Sequence, residues 1–124
     1  MIYLDTHIVV WLYSGLKQKL SSKARTLINQ HDLYISPIVR LELQYLYEIQ
    51  RLTVLPDVII DDLEFRLNLI ICDRPFNQVI TQSLSQDWTR DPFDRVIVSQ
   101  AGLQSSLLLT KDKTIRDNYQ QAQW

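Results

Sequence analysis

Apolar positions along this chain fall into short β-rich runs separated by longer stretches with helical spacing. IYL at 2–4 predicts a first strand. LYIS at 33–36, LIIC at 69–72 and LLLT at 107–110 predict three more, and a short fifth falls near Gln123 and Trp124. Between them, THIVVWLY at 6–13 is apolar on nearly all sides, which predicts a buried helix. Ser21 or Ser22 caps a helix running to about Gln30, and Pro37 suits the first turn of a long helix over 37–51. Asp57 is placed to cap another helix to about Asn68, residues 76–86 read as helical, and Pro92 opens a helix to about Leu103. Strands alternating with helices are βαβ units. The expectation is therefore an α/β fold: a three-layer α/β/α sandwich with a mostly parallel, roughly five-stranded sheet, in one domain over residues 1–124. In open sheets of this class, ligands bind outside the carboxyl ends of the strands. The residues that follow each strand therefore carry the functional reading.

Those residues are rich in acids. Asp5, then Thr6 and His7, follow the first strand; Ser36 follows the second, with Glu42 in the helix behind it; Asp73 follows the third. Asp91 and Asp94 open the helix before the fourth strand, and Thr110, Lys111 and Asp112 come after it. Most have an ordinary structural use. Asp5 can cap the first helix. Asp91 can be an N-cap with Pro92 at N1 and Asp94 at N3, where a carboxylate suits the helix dipole. Asp112 can serve as a turn residue or cap the last helix.

Glu42 fits such a use less easily. At about 100° per residue, Arg40, Gln44, Glu48 and Arg51 cluster on one side of its helix. Glu42 falls almost opposite, among Ile38, Tyr45, Leu46 and Ile49. A carboxylate in an apolar stripe is unfavourable unless it is paired, protonated or metal-bound; an arginine partner is the structural alternative. Asp94 leads a second stripe, Ile97, Val98 and Ala101, which points it towards the sheet.

Composition narrows the classes. A net charge of −1 argues against a protein that simply coats nucleic acid, and two glycines leave no Gly-rich phosphate loop. The single cysteine, Cys72, allows no internal disulfide and reads as a buried strand residue, which suits a reducing, cytoplasmic setting. No basic, apolar leader precedes MIYLD, and no apolar run reaches the ~18 residues of a membrane span. Asp5, Glu42, Asp94 and Asp112 can converge at one sheet edge, and four clustered carboxylates stay ionised only with cations nearby. Oxygen-only ligands select hard ions, Mg²⁺ or Mn²⁺, one or two of them; such sites hydrolyse phosphodiesters.

Four segments then carry a resemblance: YLDTHIVVWL at 3–12, ISPIVRLELQYL at 35–46, WTRDPFDRVIVSQA at 88–101 and LLLTKDKTIRDNY at 107–119. Together, in this order, the chain resembles the PIN-domain ribonucleases, and within them the VapC-type toxins of bacterial toxin–antitoxin pairs. The resemblance implies a Mg²⁺- or Mn²⁺-dependent endoribonuclease. Asp5, Glu42, Asp94 and Asp112 would be its catalytic, metal-binding acids, Asp91 a supporting acid, and Thr6 and Thr110 supporting hydroxyls. It also implies an RNA substrate, a homodimer, and a cognate antitoxin that wraps the toxin and blocks its site. Tyr47, among Arg40, Gln44 and Arg51, suits a partner surface or is an isolated exposed tyrosine. Arg90, Arg95, Lys111 and Lys113 can meet RNA phosphates or serve as ordinary surface charge, Arg95 being also a candidate for a structural role. His7 can bond within the first helix or tune the site.

The rival readings explain less. A receiver-type phosphoacceptor would use Asp5, Asp73, Thr110 and Lys111, but it wants paired acids after the first strand and leaves Glu42 and Asp94 without a task. A phosphatase with an aspartate nucleophile wants Asp-x-Asp where this chain has Asp-Thr-His. A non-catalytic interaction module, with the acids as caps, explains Glu42 poorly.

Overall fold

The computed structural model describes residues 1–124. β1 (Ile2–Leu4), β2 (Leu33–Ile35), β3 (Ile70–Ile71), β4 (Leu107–Leu109) and β5 (Ala122–Gln123) form one five-stranded sheet, parallel throughout, in the order β3-β2-β1-β4-β5. Seven α-helices flank it: α1 (Thr6–Ser14), α2 (Ser22–Gln30), α3 (Pro37–Glu48), α4 (Pro56–Leu67), α5 (Phe76–Ser83), α6 (Pro92–Gly102) and α7 (Lys113–Asn118). A 3₁₀ turn at Lys17–Lys19 joins α1 to α2. The expected α/β class and parallel sheet are therefore present.

The chain starts at the sheet centre, builds outward through β2 to β3, then returns past β1 to place β4 on its other side. Ile2 is thus in register with Leu33 on one flank and Leu107 on the other. Connections leave β1 in opposite directions, which opens a crevice beyond the carboxyl ends of β1 and β4. The strands are two or three residues long, and both faces of the sheet are covered. Ile2, Leu4, Ile35, Leu108 and Leu109 are essentially inaccessible, and their continuous apolar character is that of a doubly covered parallel sheet. Ile8 and Val9 of α1, Val39 and Leu43 of α3, Ile59, Ile60 and Leu63 of α4, and Ile97, Val98 and Ala101 of α6 complete the core. Cys72 is buried as expected, with the Tyr3 hydroxyl 3.3 Å and the Gln100 amide nitrogen 3.2 Å from its sulfur.

Several boundaries differ from the sequence reading. α3 stops at Glu48 instead of continuing to 51, because Ile49 closes it and Gln50 takes a left-handed conformation with φ 64°. Asp57 does not cap α4. Leu55 occupies the cap position and Pro56 the first turn, so Asp57 lies inside the helix with its carboxylate 2.9 Å from Arg40. Leu55 has no side-chain acceptor, so α4 starts without a side-chain cap, and Pro56 at the first position removes one unpaired N–H and presets the helical φ. Asn68, expected as the last helical residue, is instead the left-handed stop, φ 55°. α5 ends at Ser83, and β3 keeps only two residues of its apolar run.

Ile97 is 1% exposed on the α6 stripe. We expect Ile97→Ala to lower unfolding free energy by about 2–5 kcal/mol in denaturant titration, the range for a large-to-small change in a packed core.

Candidate functional site

The crevice at the switch point holds the acids. Asp5, Glu42, Asp91, Asp94 and Asp112 line one cavity of about 470 Å³ together with His7, Ile8, Trp11 and Lys111. The carboxylates come from separate elements. Asp5 sits between β1 and α1, Glu42 lies within α3, Asp91 and Asp94 open α6, and Asp112 precedes α7. Asp73, the acid after β3, lines a different recess with Tyr34 and Ile70, so a phosphoacceptor pairing of Asp5 with Asp73 has no geometric basis.

Asp5 is the most enclosed of the group, 8% exposed. It caps α1 by accepting the Thr6 N–H at Oδ1, 2.8 Å, and it accepts the Thr110 hydroxyl at Oδ2, 2.6 Å. The second bond joins the ends of β1 and β4 across the crevice. The capping role and the site role thus belong to one side chain. Thr110 also accepts the Asp112 N–H at its hydroxyl oxygen, 3.0 Å, and Asp112 in turn caps α7 by accepting the Ile115 N–H, 3.0 Å. Thr6 reaches the other way and donates its hydroxyl to Glu42 Oε1, 2.5 Å. Both threonines named from the sequence therefore act as bridges, one from Asp5 to Asp112 and the other from Asp5 to Glu42.

Asp91 is the N-cap of α6, accepting from the N–H groups of Phe93 and Asp94 at 2.9 and 3.2 Å. Asp94, in the first turn, faces the cavity with no side-chain partner among the hydrogen bonds of the fold. The stripe that follows it, Ile97, Val98 and Ala101, is buried as the sequence spacing requires.

Electrostatics follow from this crowding. Burial pushes the Asp5 carboxyl above its usual range against the pull of its Thr110 and Thr6 bonds. Burial also raises Glu42 to about 7; the charges of Asp5 and Asp91 add to this, and the Thr6 bond opposes it. Asp94 rises to about 8, first by burial and then by repulsion from Asp91, Asp5, Asp112 and Glu42. The α6 dipole favours a charged Asp94 by only about 0.3–1 kcal/mol, too little to offset enclosure among four other acids. A cavity that forces carboxylates towards the neutral form is a cavity that would attract a compact cation. No three of these carboxylates already stand as a closed set of metal ligands, so shared coordination would need side-chain rotation.

Three expectations need correction or division. Glu42 does not sit on a core-facing stripe. α3 buries Val39 and Leu43, whereas Tyr45 and Ile49 on the Glu42 side are 48% and 44% exposed. Of the apolar side chains around Glu42, Ile38 and Leu46 are half-buried, with Ile38 packed on the core, whereas Tyr45 and Ile49 are exposed, and Tyr45 packs on Phe93, ring centroids 5.8 Å apart. No arginine pairs with Glu42; Arg40 is taken by Asp57. The basic candidates also separate. Lys111 lines the cavity and Arg90 is exposed outside it, whereas Arg95 donates to the Thr89 carbonyl and Lys113 pairs with Asp117. Sequence reasoning missed Trp11 and Ile8 as lining residues. Spacing held a signal for Trp11, because it lies one helical turn beyond His7 and on the same face of α1.

A PIN domain family model matches residues 2–120 of the chain. No curated protein sequence matches it. Among solved structures, the chain is similar to a toxin–antitoxin complex from Klebsiella pneumoniae, with 16% identity, TM-score 0.66, and 100% of this chain and 97% of that one covered. It is also similar to VapBC2 from Rickettsia felis, solved bound to a DNA fragment from the promoter, at 22% identity, TM-score 0.63, and 94% and 92% coverage. FitAcB from Neisseria gonorrhoeae matches at 20% identity, TM-score 0.55, and 98% and 95% coverage. At these identities the structural likeness is one of fold.

Two outcomes follow from the raised acids. Between about pH 4 and 8 the folded protein holds protons that the unfolded chain has released, so metal-free stability falls as pH rises through that window. We expect the melting temperature in chelator to be lower at about pH 8 than at about pH 5.5, and Asp94→Asn to flatten that dependence; a melting temperature that climbs with pH would contradict it. Glu42→Gln removes one repelling charge and keeps an acceptor for Thr6. We expect it to raise the metal-free melting temperature at neutral pH, whereas a clear loss would point to an ion pair that stabilises the fold.

Proposed function

The chain belongs to the PIN-domain family, and from that premise we propose that residues 1–124 act as a single-domain, Mg²⁺- or Mn²⁺-dependent endoribonuclease, the toxin of a toxin–antitoxin pair. The observation that carries this reading is the convergence of five carboxylates from four parts of the chain on one cavity at the switch point of the sheet. Such a cluster costs stability when ionised and has no structural use that single caps would not serve.

The donor set fits a hard divalent cation, since every candidate ligand is a carboxylate oxygen and neither sulfur nor an imidazole pair is present. Asp5, Glu42, Asp94 and Asp112 would hold one or two such ions, with Asp91 supporting. The ions would supply an activated water and charge stabilisation for the leaving oxygen of a phosphodiester. The chain's own residues do the positioning. The Thr6 N–H and Thr110 hydroxyl fix both oxygens of Asp5 and so define the centre of the site. Thr6 anchors one oxygen of Glu42 and leaves the other free to turn inward. Asp94 carries a proton near neutrality and must give it up for its oxygens to become ligands, so metal binding should release protons. Lys111, on the cavity wall, is placed to meet a phosphate oxygen of the strand, with Arg90 further out.

Partners follow from surface chemistry and from the neighbours' assemblies. Leu41 and Tyr45 of α3, Ile49 at its end, and Leu55 and Val58 at the start of α4 are each 44–56% exposed and give apolar surface on this pair of helices. Tyr47 is 38% exposed on the polar side of the same helix. Such surface suits a homodimer contact and a cognate antitoxin that covers the cavity, as the antitoxin-bearing assemblies of the neighbours suggest. No helix is long and apolar enough to cross a membrane, and a cytoplasmic setting is part of the reading.

We expect the purified protein to cleave RNA only with Mg²⁺ or Mn²⁺, and Asp5→Asn or Asp94→Asn to lower the rate by more than about a hundredfold with the circular-dichroism spectrum unchanged, since even outer partners of metal ligands cost ~10–100-fold. Cleavage that survives chelation, or that is equal in wild type and both variants, would sink the assignment.

A further inference from the structure

One wall of the acidic cavity is aromatic. His7 and Trp11 both line it, with ring centroids 6.3 Å apart and planes tilted by 52°. His7 is exposed and Trp11 half-buried, so each presents ring surface to the cavity. Trp11 is braced from behind the site by Trp124, ring centroids 6.0 Å apart, which ties α1 to the strand end of β5. The ammonium of Lys19 stands 5.7 Å from the Trp11 ring centroid. Neither aromatic side chain hydrogen-bonds to the acids, although His7 is close enough to Asp5 to act on its charge.

We propose that His7 and Trp11 form a stacking wall for a nucleobase of the bound strand, and so are specificity-determining residues of the site. This rests on the nuclease reading of the cavity. The physical case begins with charge. Five carboxylates and one lysine line the cavity, so it does not draw an anionic strand in by charge alone. Attraction must come from elsewhere, and a ring stack supplies it without regard to charge, since every base has a π-face. A base inside an A-form helix is already stacked on its neighbours and cannot reach the wall; a splayed base in a loop or single strand can. The Lys19 ammonium, 5.7 Å from the Trp11 ring centroid, adds a cation–π contact that helps fix the indole. Trp124 holds the indole in place, so stacking does not have to order it first.

The wall can be tested separately from cleavage. A Trp88→Phe, Trp124→Phe double variant leaves Trp11 as the sole tryptophan and keeps an aromatic brace behind it. In chelator, where the nuclease reading predicts no cleavage, we expect a mixed-sequence single-stranded oligoribonucleotide to quench its fluorescence and a duplex of equal length to leave it unchanged. With Mg²⁺, Trp11→Leu should raise KM about tenfold on the single strand while kcat stays within about twofold, His7→Ala should raise KM less, and Trp11→Phe should restore most of the loss. Binding should depend on salt less steeply than contacts to several phosphates require. Equal quenching by single strand and duplex, absence of quenching, or an unchanged KM in a folded Trp11→Leu protein would each overturn the proposal. If wild type failed to cleave RNA while the quench persisted, the nuclease reading would fall and the stacking wall would stand.

Discussion

The dominant constraint in this molecule is the repulsion among acids that the fold brings to one poorly solvated crevice. Burial alone works against their ionisation, and each added carboxylate makes the next harder to charge, as Asp94, raised to about 8, records. A stable sheet with tightly packed central strands is what makes such a cluster affordable. Ile2, Leu4, Leu108 and Leu109 are sealed directly beneath the crevice, and the strand ends they anchor set where Asp5 and Thr110 stand.

The fold limits the repulsion with local hydrogen bonds of modest reach. Asp5 has a partner on each oxygen. Thr6 and Thr110 are the two bridges: Thr6 uses its N–H on Asp5 and its hydroxyl on Glu42, and the Thr110 hydroxyl donates to Asp5 while accepting the Asp112 N–H. Asp91 and Asp112 spend their oxygens on helix N-termini, where a negative charge is welcome. Asp94 alone is left without a hydrogen-bonding partner for its carboxyl, and it is the acid pushed furthest among those whose value is resolved. The graded treatment of the acids makes some of them rigid and leaves others free to turn.

Much of this was legible from the chain. Short apolar runs and helical spacing located the strands and the main helices, because burial on both faces of a parallel sheet leaves continuous apolar runs. Acids after strand ends were legible as a group, and the Asp91–Pro92 helix start was read correctly down to its cap. The failures have physical causes. Asp57 was taken for a cap because it has cap chemistry, but the helix already begins at Pro56, with Leu55 at the cap position. Glu42 was singled out on a premise that holds only in part, since it is half-buried but lies at the flank of the face that meets the sheet. A helical wheel shows which side chains share a side but not which side meets the sheet, and α3 turns Val39 and Leu43 inward instead. Trp11 was hidden among apolar neighbours that pack into the core, where an aromatic side chain is unremarkable.

The sequence by itself determined the α/β class, the parallel sheet, the caps and the set of acids available for chemistry, since each depends on residues a few positions apart. Which acids meet, which are forced towards neutrality, which lysine or arginine reaches the cavity and which aromatics wall it were decided only by tertiary structure. The Thr110–Asp5 bond links positions 105 residues apart. It exists because β4 returns to lie against β1, and strand order is a property of the packed whole that local spacing does not encode.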